Sequence, residues 1–333
     1  MLKVVENEPA VRRYQRRFVS SFKPLTDEVI PVELGHPGAH VRAKVAWSER
    51  LGIWRFSRRI ADHRYWHAFG VGRPEGGAHI PITCEINFPL CGIDRRTGGA
   101  FAEDGAGRVF VVHRGKLGGG RKGVGKGLFE NHYRGAWEVM DDGGAESVIA
   151  VIGVLNSPRF PRQIAHFVRK IALMKEAAAA RSAQAEFRFD ELTLHDEWIG
   201  DRFHEPEHVI GAECDHGLII RDLALALRTG NLRTGNDGSR DLLAVNRAGC
   251  IRAVFQVRTE MALEGIHAGA AQLLMNGLDL TGNPLLVLAL PGPPDESVRA
   301  KLKRLNIDLL IYRWEGDRAA FPWLADLLAR IAT

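Results

Sequence analysis

Cysteine is scarce in this chain of 333 residues. The four present, Cys84, Cys91, Cys214 and Cys250, are spread out and form no C-x-x-C pair. No histidine spacing completes a zinc site around them, so small buried thiols are their expected role. Long apolar runs are missing as well. The longest, Val148 to Leu155, has the length of a strand, well short of the roughly 18 residues that suggest a membrane span. The opening MLKVVENEPAVRRYQRRF has no apolar signal core ahead of its basic cluster. No membrane association and a cytoplasmic address are therefore expected. There is no internal repeat, and no low-complexity segment beyond one alanine run at AAAA (177–180).

What is present fits a soluble globular protein. Hydrophobic residues make up 45% and charged residues 26%, enough for at least one sizeable core in one or two domains. The net charge of +5 is unevenly placed. Residues 1–190 hold 30 Lys+Arg against 20 Asp+Glu, and the remainder holds 15 against 20. This asymmetry points either to a polyanion-binding module beside a differently charged domain or to a solvated basic surface.

The first half reads as a β-rich basic domain over residues 1–157. Val11 to Phe18 is a basic amphipathic stretch with Arg12, Arg13, Arg16 and Arg17, either a helix that touches phosphates or a charged outer face. From Val41 to Val154 short runs such as HIPITCEINF (79–88) and RVFVVHRG (108–115) carry β-branched and aromatic residues between Gly and Asp turns, with DGAG (104–107) as a hairpin turn. Trp47, Trp54, Tyr65, Trp66 and Phe69 form either a core or a stacking cage. Glu85, Asn87, Asp94, Arg95 and Arg96 surround strand ends where a base-reading pocket is one option. Residues 158–200 read as a connecting helix. Ile164, Phe167, Val168, Ile171 and Met174 recur at helical spacing, while Arg162, His166, Arg169, Lys170 and Lys175 are directed to DNA or to solvent.

The segment RVFVVHRGKLGGGRKGVGKGLFENHYRGAW (108–137) is the most unusual. Seven glycines lie from Gly115 to Gly127, interleaved with cations. Glycine lets backbone N–H groups approach an anion, and the cations neutralise it. One reading is a DNA-backbone clamp of His113, Arg114, Lys116, Arg121, Lys122, Lys126 and Arg134. The other is a nucleotide loop, since Gly120 to Lys126 fits G-x-x-x-x-G-K. Gly127 follows, however, where Ser or Thr would hold Mg²⁺.

Residues 201–333 read as alternating helix and strand. Gly217 to Arg228 is the first helix, with Asp215 as its N-cap. Strands Asp241–Val245 and Cys250–Arg258 are joined by the turn Asn246 to Gly249. A helix from Ala262 to Asn276, a strand from Pro284 to Leu290, a helix from Glu296 to Leu305, a strand from Ile307 to Arg313 and a helix from Phe321 to Ala332 follow. Asp241 opens one strand, and Gln256-Val257-Arg258 closes the next. Strand side chains alternate, so Gln256 and Arg258 share a face and Val257 points away.

This stretch, NDGSRDLLAVNRAGCIRAVFQVRTE (236–260) with Gln272-Leu273-Leu274 after it, resembles the D…(D/E/Q)-x-K pattern of the PD-(D/E)XK nuclease superfamily over about residues 213–313. The resemblance implies a restriction-endonuclease-like αβββαβ domain, so the expected fold is an α+β, β-rich N-terminal domain joined to that α/β domain. It implies Asp241 and Gln256 as ligands of Mg²⁺ (or Mn²⁺) and Arg258 as the cation that stabilises developing charge. Glu213, Asp215, His216 and Gln272 would be accessory groups. DNA would be the substrate, phosphodiester hydrolysis in restriction or phage defence the activity, and a homodimer or partner subunit the assembly. Gln256 and Arg258 depart from the commoner Glu and Lys, and arginine's planar fork is not equivalent to an ammonium at a tight site. The alternative is a degenerate nuclease-fold protein that binds DNA as a scaffold beside a catalytic partner.

Overall fold

Period-two alternation organises the first half of the chain. A computed structural model describes residues 1–36, 39–60, 64–116, 126–133, 135–182, 210–236, 240–278, 280 and 282–332. The chain divides into two compact units: Met1–Glu186 with Phe203–Cys214, and Phe187–Arg202 with Asp215–Thr333.

Unit 1 begins with β1 (Leu2–Val4) and α1 (Glu8–Ser21), which Asn7 caps by accepting a hydrogen bond from the Ala10 N–H at 3.2 Å. Next come β2 (Glu28–His36), β3 (Ala39–Ser48), β4 (Ile53–Ile60) and β5 (Arg64–Val71). The short strands β6 (His79–Pro81), β7 (Cys84–Glu85) and β8 (Phe88–Pro89) complete a seven-stranded sheet. Then β9 (Gly99–Glu103), β10 (Val109–His113), α2 (Lys126–His132), β11 (Trp137–Asp141) and β12 (Glu146–Val154) follow, and α3 (Phe160–Ser182) comes last. Strands β9 to β12 close with β1 into a five-stranded barrel, because β1 pairs in parallel with β11 and antiparallel with β9.

The barrel strands are apolar on both faces, and each face has its own core. Ala100, Ala102, Phe110 and Val112 turn toward Leu2, Met140 and Ile149. Phe101, Val109 and Val111 turn the other way, onto Phe18 and Phe22 and onto α3 through Phe160, Ile164 and Phe167. Asp104 holds the expected hairpin turn, its carboxylate accepting from the N–H groups of Ala106 and Arg108.

Two expectations are corrected here. Of the connecting helix expected over residues 158–200, Phe160–Ser182 is helical and 183–200 lie outside the described residues; the helix, α3, is packed within unit 1, and Gln163, His166 and Lys170 are buried alongside its apolar residues. Neither a DNA-facing nor a solvated basic face describes it, since Lys170 lies 5.8 Å from the Tyr133 ring and Arg169 donates to the Leu51 carbonyl at 2.6 Å. Four of the five aromatics are core and not a cage, and Tyr65 is half-buried. Trp47, Trp54 and Trp66 fill one cluster, and Phe69 is fully buried in another.

Unit 2 contains α4 (Ile210–Thr229; its first five residues fall in unit 1), β13 (Arg233–Gly235), β14 (Leu242–Val245), β15 (Ile251–Val257) and α5 (Leu263–Leu278). It continues with β16 (Leu285–Leu290), α6 (Glu296–Arg304), β17 (Ile307–Ile311), the hairpin β18 (Arg313–Glu315) with β19 (Arg318–Ala320), and α7 (Leu324–Ala332). Strands β13 to β17 lie side by side in chain order. The first three are antiparallel, and β15, β16 and β17 run parallel. Parallel neighbours need a crossover, which α5 and α6 supply. One face of the sheet packs on α4 and α7, the other on α5 and α6. The sheet is thus covered on both sides, as its continuous apolar strands require. No helix among the described residues is long and apolar enough to cross a membrane.

Packing is close where Gly70 lies opposite Trp54 in the β4–β5 pair. A Cβ on Gly70 would fall 2.4 Å from the indole ring. Gly70→Ala should therefore lower stability by about 1–3 kcal/mol, read as a shift in the urea midpoint. Pairing it with Trp54→Phe should recover part of that loss, and equal midpoints for Gly70→Ala and the parent would refute the close approach.

Candidate functional site

The β14–β15 hairpin, with a register shift between Ala244 and Val245, brings Asp241 and Gln256 together. Leu242 pairs with Phe255, so Asp241 stands opposite Gln256 where β14 begins and β15 ends. The Gln256 side-chain N–H donates to Asp241 Oδ2 at 2.6 Å, and the Val257 backbone N–H donates to the same oxygen at 2.7 Å. His216, on α4, completes the group. Its Nε2 lies 3.3 Å from that oxygen and 3.2 Å from the Val257 carbonyl. Asp241 is 5% exposed and Gln256 3%. Burial pushes the Asp241 carboxyl up. The His216 imidazole, the Val257 N–H and the Arg258 charge together outweigh burial and hold it below the usual carboxylate range.

Arg258 lies on the same face but has its own partners. Its guanidinium donates to the carbonyls of Gly265 (2.9 Å) and Val257 (2.9 Å) and to Gln272 Oε1 (2.5 Å). Gly265 and Gln272 sit two turns apart on α5, so the side chain runs beneath that helix and is 8% exposed. Gly269 lies between them, and a Cβ there would come within 3.1 Å of Arg258 Nε and 2.8 Å of Leu288. The Arg258 backbone is fixed too: its N–H donates to the Ala289 carbonyl, and the Tyr312 hydroxyl donates to its carbonyl at 3.0 Å. Val257, between the two polar residues, points to the opposite core, as alternation requires.

The arrangement is a poor fit for Mg²⁺, which needs near-octahedral oxygen ligands. One Asp241 oxygen already receives three N–H donors, and Gln256 turns a donor, not an oxygen, toward it. No group of three His, Cys, Asp or Glu side chains suited to a metal occurs among the described residues. Asp215 is not an N-cap, because α4 starts five residues earlier and leaves it inside the helix, 5% exposed. Glu213 is half-buried in the first turns of α4, within unit 1. Sequence reasoning gave His216 only an accessory place, and nothing in its spacing shows that a helix carries it to Asp241.

The clamp expected in unit 1 is reassigned in part. His113 is fully buried; its Nδ1 accepts the Gly115 N–H at 3.0 Å, and its Nε2–H donates to the Glu85 carbonyl at 3.1 Å. Arg114 is 7% exposed and forks onto Asp142 through bonds of 3.0 and 2.6 Å. Both side chains are committed inside the protein, so neither holds a phosphate. Lys116 is exposed and donates to the Arg95 carbonyl; Lys126 begins α2 and pairs with Glu130 at 3.1 Å. Arg121, Lys122 and Arg134, with the rest of the G-x-x-x-x-G-K stretch, lie outside the described residues. The proposed base-reading group is braced by local hydrogen bonds, with Arg95 and Arg96 exposed. Asn87 bridges Glu85 and the His67 N–H, Asp94 accepts from Arg96 and Thr97, and Arg95 donates to the Asp142 carbonyl.

A second buried histidine, His67, joins α1 to the sheet. Its Nε2–H donates to Gln15 Oε1 at 2.9 Å, and its Nδ1 accepts from the Ser57 hydroxyl at 2.8 Å. Burial and the nearby Arg55 charge push His67 down to about 3. Burial, with Arg114 adding to it and the Glu85 carbonyl opposing, pushes His113 down to about 4. Unfolded, both titrate near the ordinary 6.5, so below that pH the unfolded chain binds protons that the folded chain refuses. The stability gained by keeping them neutral is complete above about pH 6.5 and is lost as pH falls toward about 4. The urea midpoint should be level above about pH 7 and should fall between about pH 6.5 and about pH 4.5, ahead of most carboxylates. A level midpoint across that window would contradict the assignment.

No protein-family model matches the chain, and no curated protein does. Among solved structures, the crystal structure of a repair endonuclease from Pyrococcus abyssi aligns with 80% of this chain and 91% of its own, at 10% identity and a TM-score of 0.24. A likeness at that level carries no inference about fold or chemistry.

Proposed function

We propose that unit 2 is a nuclease-like domain of the PD-(D/E)XK type that no longer hydrolyses, and that the chain works as a nucleic-acid-binding protein. Three features support the nuclease frame. One helix, three antiparallel strands, a crossover helix and a parallel strand follow in the order α4, β13, β14, β15, α5, β16. Asp241 and Gln256 stand opposite one another on β14 and β15, and Arg258 follows two residues on. Gln272 stands on the helix after them.

One observation carries the non-hydrolytic reading: Asp241 Oδ2 is taken by three N–H donors inside a network that is almost fully buried. A hydrolytic site of this kind needs ligand oxygens turned to a cation and a free positive charge beside the phosphate. Here the amide faces the carboxylate, and the guanidinium is held by three carbonyl oxygens. The network instead ties β14, β15, α4 and α5 together. A strand cut in DNA would then fall to a partner subunit. The excess of cations in residues 1–190 supports nucleic acid as ligand.

Supercoiled plasmid incubated with Mg²⁺ or Mn²⁺ should stay uncut, and neither ion should raise the melting temperature. Asp241→Ala should lower stability by about 3–5 kcal/mol, because it leaves buried donors without their acceptor. Metal-dependent nicking that vanishes in Asp241→Ala would overturn the reading and restore the hydrolytic one.

A further inference from the structure

Helix α1 turns two kinds of side chain in opposite directions. Val11, Gln15 and Phe18 are buried, whereas Arg12, Arg13, Arg16 and Arg17 are exposed. The exposed set forms two rows, Arg12 with Arg16 and Arg13 with Arg17, each separated by one helical turn of about 5.4 Å. The helix is seated on the β4–β5 hairpin. Arg59 pairs with Tyr65 and Ser57 with His67 in that hairpin, and residues two apart share a face, so all four stand on one side. His67 bonds Gln15, which makes this the α1 side.

The result is a groove of about 870 Å³ beside α1. Its lining includes Arg12, Arg13, Arg16, Arg17, Lys23 and Arg59, with Tyr65 and Gln15, and no aspartate or glutamate is among the lining residues. Arg12 pairs with Glu8 at 2.7 Å, both about half exposed, and Arg13 lies against Tyr14. An exposed pair of that kind is weak and exchanges readily for a phosphate. Arg16, Arg17 and Lys23 make no ion pair among the described residues. Gathering this much like charge in one concave place opposes folding unless a polyanion neutralises it.

We infer that this groove binds the phosphodiester backbone of a nucleic acid. Arginine forks match phosphate oxygens two at a time. Gln15 gives its carbonyl to His67, which leaves amide N–H groups as donors in the lining, and Tyr65 offers a ring edge beside the cations. A membrane surface fits less well. An interfacial helix needs its apolar face free, and that face of α1 is buried on Phe69, Phe88 and Phe160. The inference rests on the nucleic-acid reading above and adds where the contact is made.

The test uses the full chain and fluorescein-labelled oligonucleotide, single-stranded and duplex, followed by anisotropy across roughly 50–200 mM salt. Arg16→Ala with Arg17→Ala should weaken binding about tenfold or more, and the log–log salt slope should become shallower by about 1.4 to 1.8. The control, Arg42→Ala with Lys44→Ala, removes the same charge from exposed β3 positions outside the groove and should stay within about twofold of the parent. All four residues are exposed, so the melting temperatures should match that of the parent and exclude misfolding. Equal losses in the two double variants, or no loss in either, would overturn the groove while leaving nucleic-acid binding in place. A parent chain that binds neither oligonucleotide would overturn both readings. Capture by phosphatidylserine vesicles through Arg16 and Arg17, without oligonucleotide binding, would assign the groove to a lipid headgroup and overturn the inference.

Discussion

A charged carboxylate buried at the strand ends of a sheet survives only if N–H donors surround it. Asp241 meets that requirement three times over, through a side-chain amide, a backbone N–H and an imidazole. Two donors come from β15 and the third from α4, while the oxygen belongs to the residue before β14, so satisfying it fixes the ends of β14 and β15 and the side of α4. Arg258 works the same way from the other side, drawing α5 onto the strand through two helix oxygens. The chemistry follows from this. Groups arranged to satisfy one another inside the protein have little left to offer a cation or a phosphate.

Unit 1 separates its polar residues by the same rule. His67, His113 and the Arg114–Asp142 fork lie in the interior, each with near and directional partners. Breaking one partner of such a pair costs far more than the pair itself contributes. Of the cations that remain on the surface, Arg16 and Arg17 of α1 make no ion pair among the described residues. Burial therefore sorts the basic residues of this half into braces and candidate contacts, a distinction that net charge alone does not make.

Much of unit 2 was legible in the sequence. Asp241–Val245 reads as a strand from its short apolar run, and Cys250–Arg258 from its β-branched and aromatic residues, and the Asn246 to Gly249 turn joins them with Gly249 at a φ of 84°. The helices after each parallel strand follow from 3.6-residue periodicity. The start of α4 was missed, since Ile210–Cys214 has no capping residue that marks it, and Asp215 looked like a cap for a helix that had already begun. The small hairpin β18–β19 was also missed; three-residue strands are too short for alternation to register.

The sequence by itself determined that Asp241 and Gln256 would lie on the two arms of one hairpin; a register shift between Ala244 and Val245, not legible in it, sets them opposite one another. It likewise determined that Arg12, Arg13, Arg16 and Arg17 would share one side of a helix. Only the tertiary structure decided which polar groups are spoken for. His216 reaches Asp241 from a distant helix, α5 closes over Arg258, and Asp142 meets Arg114 across the barrel. These partners lie from 14 to 28 residues away in sequence, and a carboxylate's or guanidinium's partner depends on which elements pack together. Local pattern fixes the face a side chain turns to, and packing fixes whether that face meets water or protein.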